Sequence, residues 1–284
     1  CVDDEEFVST PNACLTFSKD SLSFDTLISG ERSITQNLWV YNTSNENILI
    51  PSIFLEKESD SYFRVNVDGE FMTNGQLRDI ELRAKDSMCV FIDVKAPYLD
   101  QDLPIEHKDR LIFNLSHQLN QSVNLSVVGQ DIIKLDGITI TEAQTLSGRR
   151  PYFIKDSLVV SKDATLCISE GVTLLFSSEA SLEVYGTLKA EGQLNSEIVF
   201  RGHRFDDMFE NQAYDAIPGQ WGGIRLHSES YDNVLNFVDI HSGRFGIQCD
   251  SSDISRQKVL IENSTIHNVT GNGLGLKNVQ AKIG

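Results

Sequence analysis

The pattern of apolar and polar positions divides the chain into two regions. From Leu15 to about Gly129 it alternates with period two over short runs. In MCVFIDV (88–94), Val90, Ile92 and Val94 share one face, and Cys89, Phe91 and Asp93 share the other. RLIFNLS (110–116) groups Leu111, Phe113 and Leu115, and SVNLSVVG (122–129) groups Val123, Leu125 and Val127. Such runs, bounded by turn clusters such as NTSNEN and VDGE, predict half-buried antiparallel strands. Roughly eight or nine of them in this stretch predict a β-sandwich of immunoglobulin type.

The second region repeats itself. SLVVSKDATLCISEGVTLLF begins at Ser157, and SLEVYGTLKAEGQLNSEIVF begins 24 residues later at Ser181. Leu158 falls on Leu182, Val160 on Val184, Leu166 on Ala190, Leu174 on Ile198 and Phe176 on Phe200. Further on, Gly223-Ile224, Gly246-Ile247 and Gly273-Leu274 recur, as do Ile240-His241 and Ile266-His267. Units of this length, rich in Val, Ile, Thr and Asn and punctuated by Gly, lack an apolar face at helical spacing. They predict the coils of a parallel β-helix, right-handed by the rule for parallel crossovers. The expected division is a polar tether over 1–13, a sandwich over 14–131, a linker and β-helix N-terminal cap over 132–156, and the β-helix over 157–284. In the junction, Arg149 and Arg150 read as a solvated turn. The last residues, GNGLGLKNVQAKIG, read as the middle of a coil, so a longer natural chain, truncated here at its C-terminus, is expected; a partner covering the open end is the alternative.

Charge and cysteine content narrow the function. The net charge is −17, from 24 basic and 41 acidic residues, which repels nucleic acid. No apolar run is long enough to span a bilayer as a helix. None of the five cysteines forms a CxxC pair, which disfavours a zinc knuckle. Cys14 and Cys89 read as buried free thiols, with a disulfide between them as the alternative. Cys1 opens the chain and is followed by Asp3, Asp4, Glu5 and Glu6.

The residues from LTFSKDSLSFDTL through LWVYNTSNENILIPSIFL and CVFIDVKAP to VNLSVVGQD resemble the immunoglobulin-like module of Bacteroidetes surface lipoproteins. GTLKAEG, EIVFRGHRFDD and YDAIPGQWGGIRL are similar to the right-handed parallel β-helix domain found in the same group. This resemblance covers nearly the whole chain. It implies lipidation of Cys1, an export signal in the acidic run beside it, and a place at the outer membrane or cell surface. Contact with membrane is expected through that anchor alone.

Candidate chemistry is sparse. No GxSxG, HExxH, P-loop or dinucleotide fingerprint occurs, and no cofactor is expected. His241 and His267 are expected to point outward on neighbouring coils, with Arg225 and His227 on the coil before, lining a groove for an acidic glycan; solvated exterior side chains are the plainer reading. Trp221 is a candidate sugar-stacking platform, or an anchor against the loop 201–220. In that loop Asp206, Asp207, Glu210 and Asp215 form a calcium candidate whose spacing matches no calcium motif, so no metal is expected. Phe205, Phe209 and Tyr214 suggest a loop folded onto the wall. Together these readings favour a non-catalytic surface lipoprotein binding a glycan or a protein ligand, in an adhesive or structural role. The alternative is a polysaccharide lyase or glycoside hydrolase on a β-helix, which needs an acid–base pair the sequence does not display.

Overall fold

The computed structural model describes residues 7–8, 14–116, 119–209 and 212–284. Cys1, the acidic run after it and Glu210 lie outside the described residues. The described chain is all-β, with several sheets that include parallel ones and only two short 3-10 turns, Glu58–Asp60 and Tyr214–Ala216. Among the described residues no helix is long and apolar enough to cross a membrane. The chain divides into two compact units: 1–99 with 104–130, and 100–103 with 131–284.

Unit one holds two sheets. One runs in the order Phe7–Val8, Asn47–Leu55, Ile105–Ser116, Leu119–Gln130, Ser21–Ile28, with Gln76–Leu82 also paired to Asn47–Leu55. The other runs Thr16–Phe17, Gln36–Tyr41, Ser87–Val94, Phe63–Val67, Glu70–Phe71. Pairing is mostly antiparallel, although Leu119–Gln130 meets Ser21–Ile28 in parallel. The alternating apolar residues of both sheets supply one core, in which Leu38, Val40, Ile50, Val90, Ile92, Leu111 and Phe113 are fully buried. Of the outward set of the Ser87–Val94 strand, Cys89 is half-buried and Phe91 exposed, whereas Asp93 is buried beneath its ion pairs with Arg32 and Arg64. Cys14 and Cys89 are free thiols, and Cys14 is exposed rather than buried.

Unit two holds three parallel sheets of six strands each, and the chain visits them in fixed rotation. One rotation, for example, takes Thr173–Phe176, then Leu182–Val184, then Thr187–Glu191. Each strand pairs with its counterpart one rotation on, so inward residues stack on inward residues: Leu158 on Leu182, Ile224 on Ile247 and Ile240 on Ile266. Leu, Val, Ile and Phe from all three sheets form a single buried cluster.

Residues 132–156 are more than a linker and cap. Ile133–Leu135, Thr139–Ile140 and Gln144–Leu146 supply the first strand of each sheet, and Ile140, Leu146 and Ile154 are buried in the common core. Arg150 does not sit in a solvated turn: it pairs with Asp100 at 2.8 Å and Asp102 at 3.0 Å, its side chain only 17% exposed. The glycines after Trp221 make a close backbone approach. Gly223 has φ +103°, and a Cβ there would meet the Phe245 carbonyl oxygen at 2.4 Å.

Candidate functional site

A cluster of ionisable groups lies on the outer side of the sheet containing Ile198–Gly202, Val238–His241 and Thr265–His267. Along Val238–His241, Val238 and Ile240 face the core, so Asp239 and His241 face away from it. In-register pairing sets His241 beside His267, and the two imidazoles stack with centroids 4.8 Å apart. His241 is nevertheless buried. The short turn Tyr214–Ala216 brings Asp215 over it, and His241 Nε2–H donates to Asp215 Oδ1 at 2.7 Å. Its Nδ1–H donates to Asp239 Oδ1 at 3.0 Å, and His267 Nε2 approaches the same oxygen at 3.0 Å. Arg201, on the adjoining strand, pairs with Asp215 at 3.0 Å.

The electrostatics follow from that geometry. Burial opposes a charge on His241, but hydrogen bonds to Asp215 and Asp239 and the attraction of both carboxylates prevail, raising its pKa to about 9. Burial also pushes Asp215 and Asp239 upward. The His241 hydrogen bond, the charge of Arg201 on Asp215 and the charge of His267 on both outweigh it, and both carboxyls sit below the usual range. His241 and Arg201 are therefore paired with the carboxylates of Asp215 and Asp239 as ions at neutral pH. The loop above it is held by two cation–π contacts, Arg201 on Phe205 at 4.7 Å and Arg204 on Tyr214 at 3.7 Å. The side chain of Phe209 lies outside the described residues.

Arg225 and His227 do not join this cluster, because the strand Ile224–Leu226, which carries Arg225 and ends just before His227, belongs to a different sheet. His227 Nε2 contacts Glu183 Oε2 at 2.6 Å, its ring stacks on Tyr185 at 3.9 Å, and Arg225 pairs with Asp250 at 3.1 Å. The single groove expected from the sequence is thus two separate ion-pair clusters. Trp221 is no platform. It is fully buried, stacked on Phe176 at 4.3 Å, and its indole N–H donates to the His241 carbonyl at 2.8 Å. A ring with no exposed face cannot take a sugar.

The acidic loop set does not converge either. Asp206 is held by Arg204, Asp215 by Arg201 and His241, and Asp207 is exposed on a separate short strand. Carboxylates already neutralised by neighbouring cations make a poor calcium cage.

A further surface appears on unit one. The strands Gln36–Tyr41, Ser87–Val94, Phe63–Val67 and Glu70–Phe71 align Asn37, Phe91, Asn66 and Phe71 across the outer face of their sheet. Trp39, opposite Cys89, stands diagonal to Phe91 on that face. Phe71, Trp39 and Phe91 are 55%, 43% and 41% exposed. Beside them a hollow of about 250 Å³ is lined by Thr35, Arg64, Asn66, Phe71, Phe91 and Asp93. Arg64 grips Asp93 through Nε at 3.0 Å and Nη2 at 2.7 Å, and its guanidinium lies 5.4 Å from the Phe71 ring centre. Arg32 closes on the other oxygen of Asp93. Period-two alternation puts Phe91 outward, but the pattern alone does not distinguish an aromatic that lines a hollow from one that is merely exposed.

No family model and no curated protein matches the chain. Among solved structures it is similar to a family 123 glycoside hydrolase from Clostridium perfringens, at 6% identity over 46% of this chain and 30% of that one, TM-score 0.31. It is similar to a PapD-like domain of human CEP192, at 15% identity over 44% of this chain and 90% of that one, TM-score 0.27. It is also similar to the periplasmic chaperone SfaE, at 12% identity over 42% of this chain and 58% of that one, TM-score 0.27.

Proposed function

We propose that the chain is a non-catalytic, glycan-binding lipoprotein of the bacterial cell surface, anchored through Cys1, in which an immunoglobulin-like sandwich precedes a right-handed parallel β-helix. The observation that carries the binding reading is the hollow on unit one, where exposed Phe71 and Phe91 adjoin Arg64, Asn66 and Asp93. Aromatic faces pack against the C–H faces of a sugar ring, and a few fixed polar groups orient its hydroxyls. The salt bridges hold Arg64 and Asp93 in place before a ligand arrives, which lowers the ordering cost of binding. The β-helix reading is supported by three parallel sheets visited in rotation, with like residues stacked on like.

A degradative enzyme is the less favoured reading. A glycosidase needs one carboxylic acid with a raised pKa, whereas Asp215 and Asp239 are both lowered by their cationic partners. A glycan array probed with the protein should return hits, and Phe91→Ala should weaken them about tenfold, the worth of one aromatic contact, without altering the melting temperature. Binding unchanged in that variant, or release of sugar from any polymer, would overturn the reading. For the anchor, cells fed labelled palmitate should label the protein, and Cys1→Ser should abolish the label. Persistent labelling in that variant would refute it.

A further inference from the structure

We propose that Asp239, His241 and His267 form a binding site for a divalent transition-metal ion of the zinc class, open to solvent beside His267. The donor set comes first. Two imidazoles and one carboxylate suit zinc, cobalt, nickel or copper, whereas calcium and magnesium take oxygen ligands.

Geometry comes second. One donor atom from each of the three residues lies within 4.8 Å of the other two. Asp239 Oδ1 already stands 3.0 Å from both His241 Nδ1 and His267 Nε2. Tetrahedral bonds of about 2.1 Å place neighbouring donors about 3.4 Å apart, so the approach needs side-chain torsions alone. The backbone beneath is fixed by in-register parallel pairing of Asp239 with Thr265 and His241 with His267.

The supporting shell comes third. A metal-bound histidine usually donates its other ring N–H to a carboxylate, which fixes the tautomer and strengthens the ligand. His241 Nε2–H donates to Asp215 Oδ1 at 2.7 Å, and Asp215 is itself held by Arg201 at 3.0 Å. That leaves Nδ1 as the ligating nitrogen, on the side where Asp239 and His267 converge. The buried His241 and the 42% exposed His267 side chain give the site a closed back and an open front. Water would complete the coordination there. In the metal-free protein the Nδ1 proton of His241 occupies the place of the ion. Binding transfers that proton to solvent and replaces the N–H···O contact with bonds from the ion to both atoms.

The test is calorimetric titration of Zn²⁺ into tag-free protein stripped with EDTA, run in two buffers of different ionisation enthalpy. One ion per chain at micromolar affinity or better, with at least one proton released, is expected. His267→Ala changes an exposed side chain and should leave the fold intact while weakening binding tenfold or more; Asp239→Asn should do the same. Replacement by Co²⁺ should give visible bands of nitrogen and oxygen ligation. No saturable binding, equal affinity in both variants, or a cobalt spectrum with thiolate charge-transfer absorption, which would put the ion on a cysteine, would overturn the proposal.

Discussion

Trp221→Ala is expected to destabilise unit two by about 3–5 kcal/mol, the range for emptying a large aromatic site in a packed core. The indole is fully buried and lies nearly parallel to Phe176, at 15°. The cavity would open against the Phe176 ring, which itself stacks near Phe200. The substitution also strips the His241 carbonyl of its hydrogen-bond donor, leaving a buried acceptor unpaired. Trp221→Phe keeps most of the stack and loses the N–H, so it should cost about 1–3 kcal/mol. Calorimetric unfolding of both variants separates packing from hydrogen bonding. A loss below about 1 kcal/mol for the alanine variant would show that the tryptophan is not a core residue.

The second large effect is a fall in stability with rising pH. The folded pKa of His241, about 9, lies above the ordinary 6.5. Its stabilisation is therefore fully present below about pH 6.5 and is lost as pH rises through 9. The difference corresponds to roughly 3 kcal/mol. The groups facing the imidazole are Asp239 on its own strand, Asp215 on the short turn, His267 on the next strand and Arg201 on the previous one, which reaches the cluster through Asp215. Asp215 and Asp239 act in the opposite sense. Their lowered pKa values give stability that is present above the ordinary carboxyl range and lost as pH falls below it. EDTA-treated protein should thus be most stable between the two limits. Denaturant titrations from pH 6 to 9.5 should show the loss in the native chain and a much flatter profile in His241→Gln. Equal slopes in the two proteins would contradict the assignment.

Much of this arrangement is legible in the chain, and its failures have physical causes. Period-two alternation puts Val90, Ile92, Leu111 and Phe113 in the core of unit one and Phe91 outside it, as observed. In unit two the 24-residue offset holds where Leu158 meets Leu182. It then shortens to 22 where Leu166 meets Leu188, and lengthens to 26 where Leu174 meets Phe200. The turn at Tyr185-Gly186 is shorter than its counterpart before Thr165, and the segment between Glu191 and Ile198 is longer than the one between Ile168 and Thr173. A slip of two residues keeps every apolar side chain facing inward, so the hydrophobic pattern is blind to it.

The position of a strand around the rotation is equally hidden from local pattern. Arg225 belongs to the same stretch of chain as His241 yet stands on another sheet, and His227 directly follows that strand. Trp221 looks like a surface aromatic because the partner that buries it, Phe176, lies far back in the chain. Asp215 reaches His241 only because the inserted loop folds back, and nothing in the loop's composition specifies that contact. Phe71 sits on a two-residue strand, too short for alternation to mark its face.

The stacked, in-register parallel arrangement of unit two underlies the rest, and a cysteine cross-link measures it directly. Thr173 and Val199 face each other outward on neighbouring strands. Their Cα atoms are expected about 4.8 Å apart, within reach of a disulfide. Mild oxidation of Thr173→Cys/Val199→Cys should yield that linked peptide in the mass spectrum, while Thr173→Cys/Glu197→Cys, the pair demanded by a constant offset of 24, should not. A link in the second variant and none in the first would contradict the register described here, and failure of both would contradict the stacking itself.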